Sequence, residues 1–295
     1  MWETIRDHIA SSIGEPFAIQ STQHVGGGSI NTAHVVYSDN NRSYFVKSNS
    51  ASRLGMFEAE RDGLNEIAGT GAIKVPRPLC IGTSAGNSYI VMEHLPIQNG
   101  RGGSTASLEQ LGIDLASMHR HTASQFGWHR DNTIGSTPQV NDQSDNWIEF
   151  YRDHRLRFQY QLAADHGFGH LLKRGELLMS RLDQFFTDYH PQPSLLHGDL
   201  WSGNYAISET GQPVIFDPAV YYGDREADLA MTELFGGFSS QFYSAYNDNY
   251  PLDAGYKTRK ILYNLYHILN HLNLFGGGYL GQAERMTDQL LSELR

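Results

Sequence analysis

Three oxygen-bearing side chains follow short apolar runs within residues 195–219 of the sequence. They are Asp199, Asn204 and Asp217, arranged as D-x₄-N-x₁₂-D. If the apolar runs pair as strands, these side chains converge at neighbouring strand ends. Two carboxylates and one amide oxygen suit a hard cation such as Mg²⁺, which keeps water and phosphate oxygens as its other ligands. In kinase-type phosphoryl transfer Asp199 would accept a hydroxyl proton, and Asn204 and Asp217 would hold the metal.

A purely structural interpretation of these residues is also available. Aspartate at a strand end is often only a turn former or a helix cap. A lone His-Gly-Asp sequence would favour that interpretation. The complete ordered set between apolar runs is much harder to obtain by accident, and it favours phosphotransfer.

A glycine-rich loop lies near the start of the chain. Three antiparallel strands are predicted, at Pro16–Val25, residues 33–37 and residues 44–47. The first two are joined by Gly26, Gly27, Gly28 and Ser29. Because glycine has no Cβ, backbone N–H groups there can approach a phosphate closely. A run of glycines alone is more often a flexible turn, so the loop needs support from its neighbours.

Lys47 supplies that support, since it ends the third apolar strand. A lysine at this place after a glycine-rich hairpin is typical of the phosphate-binding lysine of kinases. The next segment, from about Ser52 to Ala68, has the apolar periodicity of a helix. Glu60 flanks its apolar face, so it is the carboxylate expected to pair with Lys47.

Two further strands, at residues 79–81 and 88–92, are followed by Glu93, His94 and Leu95. The backbone of these three residues is a candidate for binding the adenine edge. The remaining sequence is predicted to be mostly helical, with helices that include residues 173–189 and 256–275. The fold class is therefore α+β and bilobal, with an antiparallel sheet lobe at residues 1–94 and a larger, mainly helical lobe at residues 95–295.

At the start of a predicted helix, Arg225 and Asp228 are expected to form a buried ion-pair network that supports the catalytic loop.

The composition of the chain restricts its possible partners and its location. The net charge is −10 and no arginine-rich tract occurs, which argues against a nucleic-acid partner. Cys80 is the single cysteine, so no intrachain disulfide forms and a reducing cytoplasm is expected. No signal peptide is evident, and no run approaches the about 18 apolar residues of a membrane span.

These residues together resemble the fructosamine kinase, or ketosamine kinase, family within the protein-kinase-like fold. The chain is more distantly similar to aminoglycoside and choline phosphotransferases. The resemblance covers nearly the whole chain and is carried by GGGSIN (26–31), YFVK (44–47), MFEAE (56–60), the FG…IG.TPQVND run (126–142), LLHGDLWSGN (195–204), FDPAVYYGDREADLAMTELFGGF (216–238) and LYHILNHLNLFGGGY (265–279).

The resemblance implies ATP and Mg²⁺, with Asp199 as catalytic base, Asn204 and Asp217 as metal ligands, and Lys47 paired with Glu60. The implied acceptor is a ketosamine, a sugar joined to an amine by an Amadori-type linkage. Phosphorylation at the third sugar carbon makes the adduct labile and restores the free amine, which is a deglycation repair activity.

The sequence leaves the contacts with the acceptor open. Trp201 is expected either to stack on the sugar or its amine substituent, or to pack beneath the loop. Asn141 and Asp142 are expected to line the acceptor groove. Some members of the family use a cysteine of the glycine-rich loop for redox-sensitive dimerisation, but this chain has Ser29 there. Whether the protein is a monomer or a homodimer is left open.

Two alternatives to this function remain. One is a small-molecule kinase of the aminoglycoside or choline phosphotransferase type, with a different alcohol as acceptor. The other is an ATP-binding regulatory module without activity, although such a module would usually lack one of Lys47, Asp199, Asn204 and Asp217.

Overall fold

A five-stranded antiparallel sheet forms the first part of the molecule. The molecule is described from a computed structural model, in residues 1–26, 30–39, 41–98 and 103–294. The strands are arranged in the order β1-β2-β3-β5-β4. Their bounds are β1 (Ile19–Val25), β2 (Thr32–Ser38), β3 (Ser43–Ser50), β4 (Pro78–Ser84) and β5 (Asn87–Glu93). We call this part, up to Glu93, the sheet region.

Two helices cover the two faces of the sheet. They are α1 (Trp2–Ile13) and α2 (Leu54–Thr70). Successive side chains of a strand point to opposite faces. In β5, Val91 packs in the apolar cluster of α1, whereas Ile90 and Met92 join the larger core that contains α2. Both faces of β5 are therefore buried, each on the side of a different helix.

The same alternation fixes the direction of Lys47 in β3. Its neighbour Val46 packs in the cluster beneath α1. Lys47 consequently lies on the α2 face, where it is only 7% exposed. A strand position therefore directs this lysine into the space between the sheet and the rest of the molecule.

The second part of the molecule, from Thr105 onward, is mainly helical, and we call it the helical region. Its helices are α3 (Thr105–Met118), α4 (Trp147–Tyr151), α5 (Phe158–Ala163), α6 (Gly169–Met179), α7 (Glu226–Leu234), α8 (Ser240–Asn249), α9 (Tyr256–Phe275) and α10 (Leu280–Glu293). Turns of π-helix follow α4 and α5, so the chain is helical almost continuously from Trp147 to Phe168.

Short strand pairs hold the loops of the helical region. They are β6 (Asn132–Ile134) with β7 (Thr137–Gln139), β8 (Ser194–Leu196) with β11 (Tyr221–Gly223), and β9 (Tyr205–Ile207) with β10 (Pro213–Ile215). The two apolar runs that flank the predicted site, now β8 and β10, do not pair with each other. Each pairs with another strand, and the loops after them meet through backbone hydrogen bonds.

One continuous apolar core joins the sheet and helical regions. It contains Leu64 of α2 and Ile90 of β5 together with Leu111 of α3 and Leu262 of α9. The predicted α+β fold class is confirmed, whereas the division after residue 94 remains a prediction. Within the described residues, none of the helices combines the length and apolar character that a membrane crossing requires.

Candidate active site

Lys47 is the point at which the sheet region meets the candidate catalytic residues of the helical region. Its ammonium contacts the carboxylate of Glu60 on α2. Its Nζ atom also lies 2.5 Å from Oδ1 of Asp217. Lys47 and Glu60 are nearly buried, with 8% and 10% of their side chains exposed, whereas 46% of the Asp217 side chain is exposed. The three charges form a cluster that opens to solvent on the Asp217 side.

The charge of Lys47 is set by a competition between burial and its partners. Burial alone would lower the pKa of the lysine, but the carboxylates of Asp217 and Glu60 overcome it and raise the pKa above its ordinary value. Burial raises the pKa of Glu60, and the nearby ammonium of Lys47 offsets part of that increase. Lys47 therefore remains a cation at physiological pH, as a phosphate-binding group must.

The loop after β8 carries Asp199 and Asn204 in direct contact. The Nδ2 atom of Asn204 donates to the backbone oxygen of Asp199 at 2.8 Å and lies 3.3 Å from its Oδ2. Gly198 begins the loop with φ of 81°, and a Cβ there would lie 2.1 Å from the Ala219 oxygen. Only glycine permits that approach, which brings the loop against the segment that follows Asp217.

Asp217 is presented by a strained backbone. Its φ of 59° is unusual for a residue other than glycine. The preceding residue, Phe216, is held at both ends, since its N–H donates to the Asn204 oxygen at 3.0 Å and its oxygen lies 2.9 Å from His197 Nε2. These bonds place the Asp217 carboxylate beside the loop that bears Asp199.

The electrostatics of Asp199 fit a cation in this place. Burial raises the pKa of Asp199 well above its ordinary value, and the negative charge of Asp217 raises it further. Two carboxylates that repel each other are stabilised by a positive ion between them. Because Nδ2 of Asn204 is used by Asp199, its Oδ1 is the atom that could face such an ion. The donor set therefore suits a hard divalent cation.

Asp228 of α7 holds the same loop from behind. It accepts hydrogen bonds from the backbone N–H groups of His197 at 2.7 Å and Gly198 at 2.8 Å, and Nε2 of His119 lies 3.1 Å away. Asp228 is 1% exposed. The predicted supporting role of Asp228 corresponds to this geometry.

The predicted ion pair between Arg225 and Asp228 was wrong. Arg225 donates to the hydroxyl of Tyr246 at 3.0 Å and to the backbone oxygens of Tyr250 and Pro251. Its guanidinium lies 3.6 Å from the centroid of the Tyr250 ring. Because loop N–H groups and a histidine already surround Asp228, the arginine instead anchors the segment after α8.

The candidate adenine-binding residues lie where β5 ends and the chain leaves the sheet. The N–H of Glu93 donates to the Arg77 oxygen at 2.8 Å. Nδ1 of His94 lies 2.8 Å from the hydroxyl of Ser43, and burial lowers the pKa of this histidine. Leu95 follows, half-buried, at the connection to the helical region.

The glycine-rich loop is described only at its ends. Gly26 follows β1, and the Ile30 oxygen accepts a hydrogen bond from Asn49 at 3.0 Å. The predicted phosphate contacts at Gly27, Gly28 and Ser29 lie outside the described residues.

The three candidate acceptor residues have different surroundings. Trp201 is half-buried, with its ring close to Gly203 and edge-to-face with Phe235 at 6.3 Å between centroids. Asp142 is exposed, whereas Asn141 is 1% exposed. The structure thus places Trp201 beside Asp199 and Asn141 in the interior. Their contacts with an acceptor remain predictions.

Two contacts of the site were not predicted from the sequence. The first is Lys47 with Asp217, and the second is the side chain of His197 with the Phe216 oxygen. The order of motifs could have suggested the first, because the phosphate-binding lysine and a metal ligand serve the same phosphates. Nothing local in the sequence indicates the second.

Comparison with known proteins identifies the relatives of this chain. The sequence profile of the fructosamine kinase family matches residues 1–293. The chain is 50% identical over 291 residues to a probable ketoamine kinase of Synechocystis sp., covering 98% of this chain and 97% of that protein. It is 43% identical to a chloroplastic protein-ribulosamine 3-kinase of Arabidopsis thaliana, covering 99% and 89% of the two chains.

Solved structures with a similar fold include members of the same family and more distant kinases. A putative fructosamine-3-kinase from Haemophilus somnus superposes with a TM-score of 0.89 at 29% identity, covering 99% of this chain and 98% of that one. The likeness to an aminoglycoside phosphotransferase (TM-score 0.60, 15% identity, 98% of both chains) shows the fold alone. So does the likeness to a choline kinase from Streptococcus pneumoniae (TM-score 0.62, 16% identity, 99% of both chains). The predicted kinase-like fold is confirmed, and the chain belongs to the fructosamine kinase family.

Proposed function

We propose that this protein is an ATP-dependent kinase that phosphorylates the 3-hydroxyl of ketosamines such as fructosamines and ribulosamines. The observation that carries the proposal is the meeting of Lys47, held by Glu60, with Asp217 beside the Asp199 loop. The names of the relatives, ketoamine kinase and protein-ribulosamine 3-kinase, support the acceptor class.

ATP would bind between the sheet region and the helical region. Lys47 would bind phosphate oxygens through its ammonium, which Glu60 keeps in place. The loop from Gly26 to Ser29 would cover the phosphates with backbone N–H groups. The backbone of Glu93 to Leu95 would contact the adenine edge at the opposite end.

Asn204 and Asp217 would hold Mg²⁺. Bound there, Mg²⁺ would supply positive charge to offset the negative charge that develops on the transferred phosphoryl group. The exposed side of the Asp217 carboxylate and the Oδ1 atom of Asn204 are the groups that would face it.

Asp199 would act on the acceptor. Its carboxylate would orient the sugar hydroxyl and accept the proton as the new oxygen–phosphorus bond forms and the bond from the γ-phosphorus to the leaving oxygen of ADP breaks. Most of the acceleration would come from positioning and electrostatics, without a covalent enzyme intermediate. Trp201 and Asp142 are the described residues we place against the sugar or its amine substituent.

The consequence for the acceptor is deglycation. A ketosamine phosphorylated at its third carbon is labile, so the adduct falls apart and the free amine is restored. We place this repair activity in the cytoplasm, where the single cysteine, Cys80, stays reduced.

A substrate panel tests the proposal. Purified protein is incubated with ATP and Mg²⁺, and ADP production is measured with a fructosamine, a ribulosamine, choline and an aminoglycoside as acceptors. We expect turnover with the ketosamines only, and recovery of the free amine from their products. Turnover with choline or the aminoglycoside alone would show that the acceptor is not a ketosamine. Absence of turnover with every acceptor would contradict the kinase proposal.

A further inference from the structure

Three acidic side chains form a row along α2. Glu58, Asp62 and Glu66 are spaced by four residues, so they lie on one side of the helix, away from Glu60. Like charges at this spacing destabilise a helix unless cations or hydrogen-bond donors lie between them. Arg61 of the same helix pairs with Asp62 at 2.7 Å, and the other partners of the row come from outside the helix.

The helical region supplies these partners. Arg130, in the segment before β6, donates through Nη1 to Asp62 at 2.6 Å and through Nη2 to Glu58 at 3.3 Å. The hydroxyl of Tyr222 in β11 donates to Glu66 at 2.7 Å. Every acid of the row is thus bound by a residue that belongs to the other region of the molecule.

Arg130 is itself fixed to the interior. Its backbone oxygen accepts a hydrogen bond from Nδ2 of Asn141 at 3.1 Å. The Oδ1 atom of Asn141 accepts one from Nη2 of Arg155 at 2.7 Å. Arg155 is fully buried, with its guanidinium 4.2 Å from the centroid of the Tyr221 ring. This chain of contacts makes the Arg130 segment a rigid support for α2.

A second contact seats α2 against the segment that follows Asp217. A Cβ at Gly63 would lie 3.0 Å from Cγ2 of Val220, so glycine allows the helix to approach this closely. The Val220 oxygen accepts a hydrogen bond from Asn132 at 2.7 Å, just two residues after Arg130. The support of α2 and the segment after Asp217 therefore form one unit.

We propose that Arg130 is a positioning residue for phosphotransfer. By binding Asp62 and Glu58 it holds α2 to the helical region, so that Glu60 brings Lys47 to Asp217. Kinase activity depends on that lysine–glutamate pair. The inference rests on the kinase part of the proposed function and is independent of the identity of the acceptor.

The test compares Arg130→Gln and Arg130→Lys with Arg157→Gln. Arg157 is a matched control, because it forms an ion pair with Asp153 at 3.0 Å on the surface of the helical region. Binding of an ATP analogue with Mg²⁺ is measured calorimetrically without acceptor, followed by kcat and KM for ATP. We expect Arg130→Gln to weaken nucleotide binding and lower kcat/KM about tenfold. Arg130→Lys should recover most of the loss, and Arg157→Gln should match the wild type.

A double-mutant cycle separates positioning from general stability. If Arg130 acts through Glu60, adding Arg130→Gln to Glu60→Gln changes nucleotide binding no further. The proposal would be overturned if the two substitutions weakened nucleotide binding independently, so that their fold-changes multiplied in the double variant. Wild-type nucleotide binding in Arg130→Gln would overturn it as well. Asp62→Asn removes the contact with Arg130 from the other partner, together with the pairing of Asp62 and Arg61, and serves with Arg61→Gln as its control if Arg130→Gln does not fold. Because binding is measured without acceptor, absence of ketosamine turnover would leave this result interpretable.

Discussion

Asp217 and Asp228 are two carboxylates that flank the same catalytic loop and have opposite surroundings. Asp217 has 46% of its side chain exposed, has a strained backbone and is bound by the ammonium of Lys47. Asp228 is 1% exposed and is surrounded by two backbone N–H groups and the ring of His119. One carboxylate faces the cleft with open oxygen positions, whereas the other is fully occupied by the protein.

Whether an acid supports the fold or is available for chemistry depends on how its oxygen atoms are bound. Burial would raise the pKa of Asp228, but hydrogen bonding to His119 and the loop lowers it below the ordinary value. For Asp199, burial and the charge of Asp217 both raise the pKa, and the bond from Asn204 only partly opposes them. An acid whose oxygens are satisfied internally supports the fold, and an acid that lacks such donors is available for a ligand.

The largest expected effect is that of Asp199→Asn on catalysis. The variant cannot accept the acceptor proton, so kcat should fall about a thousandfold. The free energy of unfolding should stay equal or rise, because the repulsion from Asp217 is removed. ADP production and urea unfolding measure the two quantities. A variant that keeps more than a tenth of wild-type kcat would show that another group is the base.

Asp228→Asn tests the other side of the comparison. The amide cannot accept from all three donors, so we expect the protein to lose about 3 kcal/mol of stability. Urea unfolding measures the change, and Asp153→Asn, at a surface ion pair, is the control. Stability equal to that of the control would mean that Asp228 is not the support of the loop.

Lys47→Met removes the cation that Asp217 and Glu60 share. Loss of a charge-assisted contact to phosphate should weaken binding of an ATP analogue with Mg²⁺ about thirtyfold, equivalent to about 2 kcal/mol. Lys260→Met is a suitable control, because Lys260 pairs with Glu233 at 2.6 Å away from the site. Unchanged affinity in Lys47→Met would exclude phosphate binding by this lysine.

Among the described residues no carboxylate forms a hydrogen bond with His267, and the burial of this histidine makes the stability of the protein depend on pH. Burial lowers the pKa of His267 from 6.5 to about 3. The unfolded chain then binds a proton that the folded chain excludes, so stability is complete above pH 6.5 and is lost as the pH falls below it. At pH 5 the loss is about 2 kcal/mol.

Urea unfolding of wild type and His267→Gln at pH 7 and pH 5 measures this effect. The variant should lose about 2 kcal/mol less than the wild type between these pH values, and His190→Gln, at an exposed position, is the control. Equal pH dependence in all three proteins would indicate that His267 is protonated in the folded state.

Local patterns gave reliable predictions where one face of an element is buried. A helix was predicted at residues 256–275, and α9 has those bounds, because apolar residues recur on the face that packs in the core. The helix predicted at residues 173–189 instead begins at Gly169 and ends at Met179. Its end comes early because Arg181 leaves helical geometry at φ −129°. The polar helix α8 was not predicted, since only Phe242 and Tyr246 of it are buried.

The sequence by itself determined the order and spacing of Asp199, Asn204 and Asp217 and the strand position that directs Lys47 toward α2. These depend on side-chain type and on local periodicity, which are present in the chain before it folds. Only the tertiary structure decided that Lys47 meets Asp217 and that Arg130 holds α2. Such pairs join segments far apart in sequence, so their geometry comes from packing of the whole chain rather than from a local pattern.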